Sequence, residues 1–132
     1  MRTLALVMVL GLVVLGGLPA TSWSQDPVPL YPENYKVLFE NDRVRVLDFQ
    51  LKKGATEKPH MHPANVAVFL NDFKIRFTFP DGTTGIREGQ PGVVAFSEAV
   101  THASENIGGT DAHGILVELK TPATSGKQER RD

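Results

Sequence analysis

The chain has 132 residues, 14 Lys and Arg against 15 Asp and Glu for a formal charge of −1, and no cysteine. The missing cysteines exclude disulfides, thiolate metal ligands and cysteine nucleophiles together. A near-neutral balance without a basic cluster speaks against nucleic-acid binding, which gathers Lys and Arg against phosphate.

The chain opens on a targeting pattern. Arg2 supplies a positive charge, Leu4 to Leu18 is an apolar run of 15 residues interrupted by three glycines, and small residues follow up to Ser24. That layout predicts a secretory signal peptide over 1–24, with Ser22 and Ser24 three and one positions before the cut. An uncleaved anchor is the alternative, but the run falls short of the ~20 residues that span a bilayer. Cleavage removes Arg2 and leaves 13 basic residues against 15 acidic ones, about −2. The expected location is periplasmic or secreted, with no stable membrane insertion after cleavage. About a hundred mature residues make one domain with a core that needs no staples.

Residues 25–34, with Pro27, Pro29 and Pro32, predict an extended, unpaired lead-in. Strand texture begins at Tyr35. Lys36 to Phe39 is followed by the turn residues Glu40-Asn41-Asp42. Arg43 to Lys52 then alternates with one slip between Val46 and Leu47, which predicts a bulge or a strand buried on both faces. The clearest alternation is Phe73 to Phe79, apolar at odd positions and polar at even ones, ended by Pro80-Asp81-Gly82. Asn65 to Leu70, Gly92 to Phe96, Thr101 to Asn106 and Gly114 to Lys120 complete the set, with turns at Asn71-Asp72, Gly89 to Gly92 and Gly108-Gly109. No helical periodicity occurs outside the leader. Short strands at regular turn spacing predict an all-β sandwich or barrel over 35–120. Residues 121–132 have almost no large apolar side chain and predict a flexible tail.

Chemistry concentrates in His60-Met61-His62 and His102, three of the four histidines. Alternate side chains of a strand share a face, so His60 and His62 project together and Met61 points away. Imidazole is the commonest nitrogen ligand for first-row metals, and a His-x-His pair presents two donors without bending the backbone. His102 is the third donor, sharing a strand face with Ser104 and Asn106. The alternative for all three is polar residues on a solvated strand face. His113, beside Asp111, is assigned to the surface.

Gly54, five residues, then His60-x-His62 resembles the first cupin motif, and Gly92 to Asn106, with His102 and Asn106 four apart, resembles the second. The resemblance spans about Tyr35 to Lys120 and is to small, single-domain bacterial cupins. It implies a double-stranded β-helix, a jelly-roll barrel, with one divalent metal on His60, His62 and His102. The chain departs from the motifs in two places. Ser97-Glu98-Ala99 stands where the second motif has Pro-x-Gly, and the glutamate that completes the first motif falls on Val66 or Ala67. Glu57, Asn65, Gln50 and Glu98 are the polar candidates to replace it, none with a compelling spacing.

Three imidazoles with water in the remaining positions suit tetrahedral zinc with one open position, or six-coordinate iron, manganese, nickel or cobalt with three. Neutral ligands leave the ion's charge uncompensated and favour an anionic exogenous ligand, a carboxylate or an enolate. Phe69, Phe77, Phe79 and Phe96 are candidates for a pocket wall or for plain core. Asn106 serves the local turn or a ligand, and Gly54, Pro59 and Pro63 shape the backbone around the histidine pair. No Ser-His-Asp spacing, phosphate loop or paired-carboxylate signature is present, so catalytic residues are not assigned. The expected partner is a small molecule, and a homodimer is left open. The function classes that follow are metal-dependent oxygenation or isomerisation of a small carbonyl or carboxylate compound, a non-catalytic binding module, and a structural cupin with a vestigial site.

Overall fold

Alternation in the sequence becomes two facing antiparallel sheets in the computed structural model, which describes residues 25–121; the leader over 1–24 and the tail beyond Thr121 lie outside the described residues. A short helix α1 (Pro27–Leu30) precedes β1 (Tyr35–Glu40), β2 (Val44–Leu51), β3 (Thr56–His62), β4 (Asn65–Phe69), β5 (Phe73–Thr78), β6 (Thr84–Gly89), β7 (Val94–Ser97), β8 (Val100–Asn106) and β9 (Ala112–Leu119). One sheet has the order β1-β2-β9-β4-β7 and the other β3-β8-β5-β6. Strands adjacent in a sheet are mostly distant in sequence, as a jelly roll requires.

The inner faces meet in a core of Tyr35, Leu47, Phe49, Leu51, Ala67, Phe69, Phe73, Ile75, Ala112 and Leu116. In β2 the inward row is Arg45, Leu47, Phe49 and Leu51, unbroken along the strand. The slip read at Val46–Leu47 therefore belongs to the partner strand. Val37 pairs Leu47 and Phe39 pairs Val46, so Leu38 of β1 is the extra, bulged residue.

Two other expectations are corrected. The lead-in is not wholly extended, because Pro27–Leu30 winds into one helical turn. Asp26 caps it, accepting a hydrogen bond from the Val28 amide at 3.1 Å, and Pro27 stands where a missing N–H costs nothing. The turn expected from Gly89 begins one residue late, since Gly89 ends a strand, β6, that the sequence did not predict; continuous pairing from Phe73↔Gly89 to Thr78↔Thr84 forms it despite Gly85 and Gly89.

Candidate metal centre

The first motif lies on β3 and the histidine of the second on β8, and these strands are paired with His60 directly opposite His102. Alternation holds at the histidine pair: His60 and His62 are 0% and 2% exposed while Met61 is exposed. They are not residues of a solvated face. The three rings converge, with centroids 5.0 Å apart for His60–His62, 5.0 Å for His60–His102 and 5.5 Å for His62–His102. One ligand atom from each lies within 4.8 Å of the others.

A bulge prepares this arrangement. Glu57 pairs Ser104 and His60 pairs His102, so β3 carries one more residue than β8 between them. Residues three apart would otherwise face opposite ways, yet Glu57 and His60 both point inward, and Pro59 sits in the bulge, where no ladder donor is required. Gly54, at φ +75°, makes the turn into this strand.

The protein fixes the tautomers of two rings. The Lys58 carbonyl, 2.9 Å from His60 Nδ1, can only accept, so that nitrogen carries the proton and Nε2 keeps its lone pair. His62 Nδ1 donates to Glu118 Oε1 at 2.8 Å, with the same result. Glu118 is in turn held by Arg45 Nε at 2.6 Å, and Arg45 by Asp26 at 2.8 Å and 3.1 Å. Carboxylate-to-imidazole support of this kind orients metal-binding histidines and raises their basicity.

Two of the rings, those of His60 and His102, are also kept neutral. Burial, which outweighs the Lys58 carbonyl and is reinforced by His62, lowers His60 to about 4. His102 is lowered to about 3 by burial first, then by His62, His60 and Arg87. A neutral imidazole is what a metal requires. Donor type and the tautomers of His60 and His62 thus fit one divalent ion, which His60, His62 and His102 would hold.

Of the four candidates for the missing glutamate, Glu57 is the one beside the trio. It is 3% exposed, accepts from the Tyr35 hydroxyl at 3.1 Å and from Asn34 at 2.7 Å, and lies 3.7 Å from His60 Nε2. Burial pushes its pKa up against those hydrogen bonds, as burial first and Glu57 second push Tyr35 up. Glu57 nevertheless falls outside the mutually close group of ligands. Asn65 lines the adjoining cavity but spends its amide on the Pro63 carbonyl, Glu98 is exposed at the lining, and Gln50 faces out. Asn106 serves the turn, donating to the Leu51 and Thr110 carbonyls and accepting from the Gly108 amide. His113 faces outward, half-buried, with Nε2 2.7 Å from Asp48. Phe69, Phe77 and Phe79 line the cavity, whereas Phe96 is 56% exposed and does not.

A scan against protein-family models finds no match, and a search of curated proteins finds none either. Solved structures do match. A cupin domain from Bordetella pertussis Tohama I aligns with a TM-score of 0.60 at 24% identity, over 66% of this chain and 92% of that one. A protein with a double-stranded β-helix domain from Klebsiella pneumoniae aligns at 0.52 and 17% identity, over 70% and 78%. A cupin superfamily protein from Desulfitobacterium hafniense aligns at 0.51 and 18%, over 66% and 76%. The fold is the double-stranded β-helix of these cupin structures, and the three histidines lie together inside it.

Proposed function

We propose that this chain is an exported cupin that holds one divalent metal on His60, His62 and His102 and brings a small carbonyl or carboxylate compound to it for oxygenation or isomerisation. The observation that carries the reading is the convergence of the three imidazoles of His60, His62 and His102 inside the barrel. An ion bound there supplies Lewis acidity toward an oxygen donor. The chain supplies the rest. Glu118 orients His62, the Lys58 carbonyl orients His60, and Phe69, Phe77 and Phe79 wall the adjoining cavity against water. Export rests on Arg2, the apolar run and the small residues before Gln25.

A non-catalytic binding module is the second reading, favoured by the lack, among the described residues, of a carboxylate within the close group of ligands. Elemental analysis of protein from its native compartment separates the two from a vestigial site: iron supports oxygenation, zinc leaves isomerisation or binding, and no metal supports neither. In zinc titrations, alanine at His60, His62 or His102 should each cut affinity sharply, and His113→Ala should not. Equal zinc affinity in the triple-alanine variant and the parent would sink the metal reading. N-terminal sequencing of exported protein should begin at Gln25.

A further inference from the structure

Beside His62 and His102 is a cavity of about 260 Å3 whose wall is mostly apolar, with Phe49, Phe69, Phe77, Phe79 and Leu116 in it. One guanidinium lines the same space. Arg87 lies on the inward row of β6 between Gly85 and Gly89, half-buried, with its Cζ 6.0 Å from the centre of the Phe77 ring. Phe77 in turn packs 4.8 Å from the His102 ring, so one aromatic ring separates the guanidinium from the imidazole cluster.

Arg87 is poorly satisfied for a residue in such surroundings. Its one hydrogen bond, to Ser97 Oγ, is 3.5 Å long, which leaves most of five donors unused. On the same sheet, Lys74 and Arg76 pair with Glu88 and Glu105; among the described residues no carboxylate pairs with Arg87, although Glu98 also lines the cavity. Holding a guanidinium against apolar walls costs free energy that only a partner offsets. A snorkelling arginine covering Phe77 would account for its stem but not for a head placed between Phe77 and Ser97, both of which line the ligand-sized space.

We infer that Arg87 is the second anchor of this site, taking the carboxylate of a small ligand whose other end faces His60, His62 and His102. This rests on the metal-centre reading above. The ligand class is then a short compound with an oxygen donor at one end, a carboxylate at the other and an apolar stretch between. A planar carboxylate matches the fork of a guanidinium and its single charge. A phosphate dianion would keep one charge unmatched, since among the described residues no Lys or second Arg lines the cavity. The volume lies just under the ~300–1,000 Å3 of pockets that take drug-sized molecules, which limits the occupant to a small metabolite.

The test is calorimetric titration of the zinc-loaded chain with succinate, glutarate and adipate, each against its monomethyl ester. The best-fitting diacid should bind at least tenfold tighter than its ester. Arg87→Gln should erase that difference while leaving zinc affinity unchanged, and Arg87→Lys should retain part of it. Should Arg87→Gln fail to fold by circular dichroism, Arg87→Lys carries the comparison and must weaken the diacid more than the ester. A parent that binds no diacid or does not distinguish it from the ester, or an Arg87→Gln variant that binds it undiminished, overturns the inference. If zinc itself does not bind, the metal reading has failed separately, and 3-phenylpropionate on the metal-free chain decides Arg87: tenfold weaker binding in Arg87→Gln upholds the anchor, and no change rejects it.

Discussion

Glu118 Oε1 lies 2.8 Å from His62 Nδ1, inside the barrel, and the carboxylate is 1% exposed. Its other oxygen accepts from Arg45 directly across the strand pair, where the two residues are register partners. One buried acid thus sets a ring tautomer and neutralises a guanidinium. Glu118→Gln should weaken zinc binding by about 10–100-fold, the usual cost of losing such support. Glu118→Ala should in addition destabilise the metal-free chain by about 3 kcal/mol, because Arg45 is left with Asp26 alone. Zinc titration and urea unfolding measure the two effects separately; unchanged zinc affinity in both variants would remove Glu118 from the site.

The lowered histidines make the metal-free protein acid-sensitive. His60 at about 4 and His102 at about 3 lie below the 6.5 they regain on unfolding, so between those values the unfolded chain binds more protons than the native one. Stability is therefore full above about 6.5 and falls with pH, by about 1.4 kcal/mol per unit of each depression traversed. Glu57 acts with the opposite sign, since a raised carboxyl pKa favours the native state on acidification through that range. Urea midpoints from about pH 7.5 down to about pH 5 should drop, and His102→Gln should flatten the slope. A parent midpoint that stays level over that interval would contradict the burial of neutral rings.

Two glycines on one strand should respond differently to alanine. A Cβ on Gly89 would stand 2.9 Å from Val93 Cγ2 and 3.0 Å from Phe73 Cε1, whereas at Gly85 the nearest atom, Phe79 Cε2, is 3.7 Å away. Gly89→Ala should cost about 1–3 kcal/mol through overpacking. Gly85→Ala should be neutral or stabilising by about 0.5 kcal/mol, as the unfolded chain loses freedom. Thermal or urea unfolding of the two variants checks the order, and the reverse order would refute the packing described for β6.

The parts of the site that were legible are the ones written at short range. Period-two alternation places His60 and His62 on one face whatever the rest of the chain does, and His102 is reached through its motif context. Glu118 was hidden because periodicity points the wrong way. In β9 the inward row is Ala112, Gly114, Leu116 and Glu118, while the more apolar Ile115, Val117 and Leu119 face outward. Only the pairing of β9 with β2, which sets Glu118 against Arg45, makes that row habitable for a carboxylate. Glu57 was among the polar candidates, but its inward facing was concealed by the bulge at Pro59, which changes facing by one residue, and Arg87 was concealed by glycines that disguise its strand. Each depends on contacts between residues far apart in sequence.

The glutamate that the cupin resemblance implies would fall on Val66 or Ala67, and the structure separates the two positions. Ala67 is 7% exposed and lines the cavity with His62 and His102, while Val66 lies on the other face of β4, paired against Phe96 and Val117. A carboxylate installed at Ala67 would enter the space beside the three imidazoles; at Val66 it would point away from it. Ala67→Glu should therefore raise zinc affinity by at least about tenfold, since an anionic oxygen donor joins three neutral nitrogens. The same carboxylate, buried without an ion, should destabilise the metal-free chain by several kcal/mol and make zinc protect it from urea more than it protects the parent. Ala67→Gln, alike in shape but neutral, should gain much less, and Val66→Glu should leave zinc binding unchanged. If Ala67→Glu folds and binds zinc no better than the parent, or if Val66→Glu is the variant that gains, the ion does not sit where His60, His62 and His102 converge.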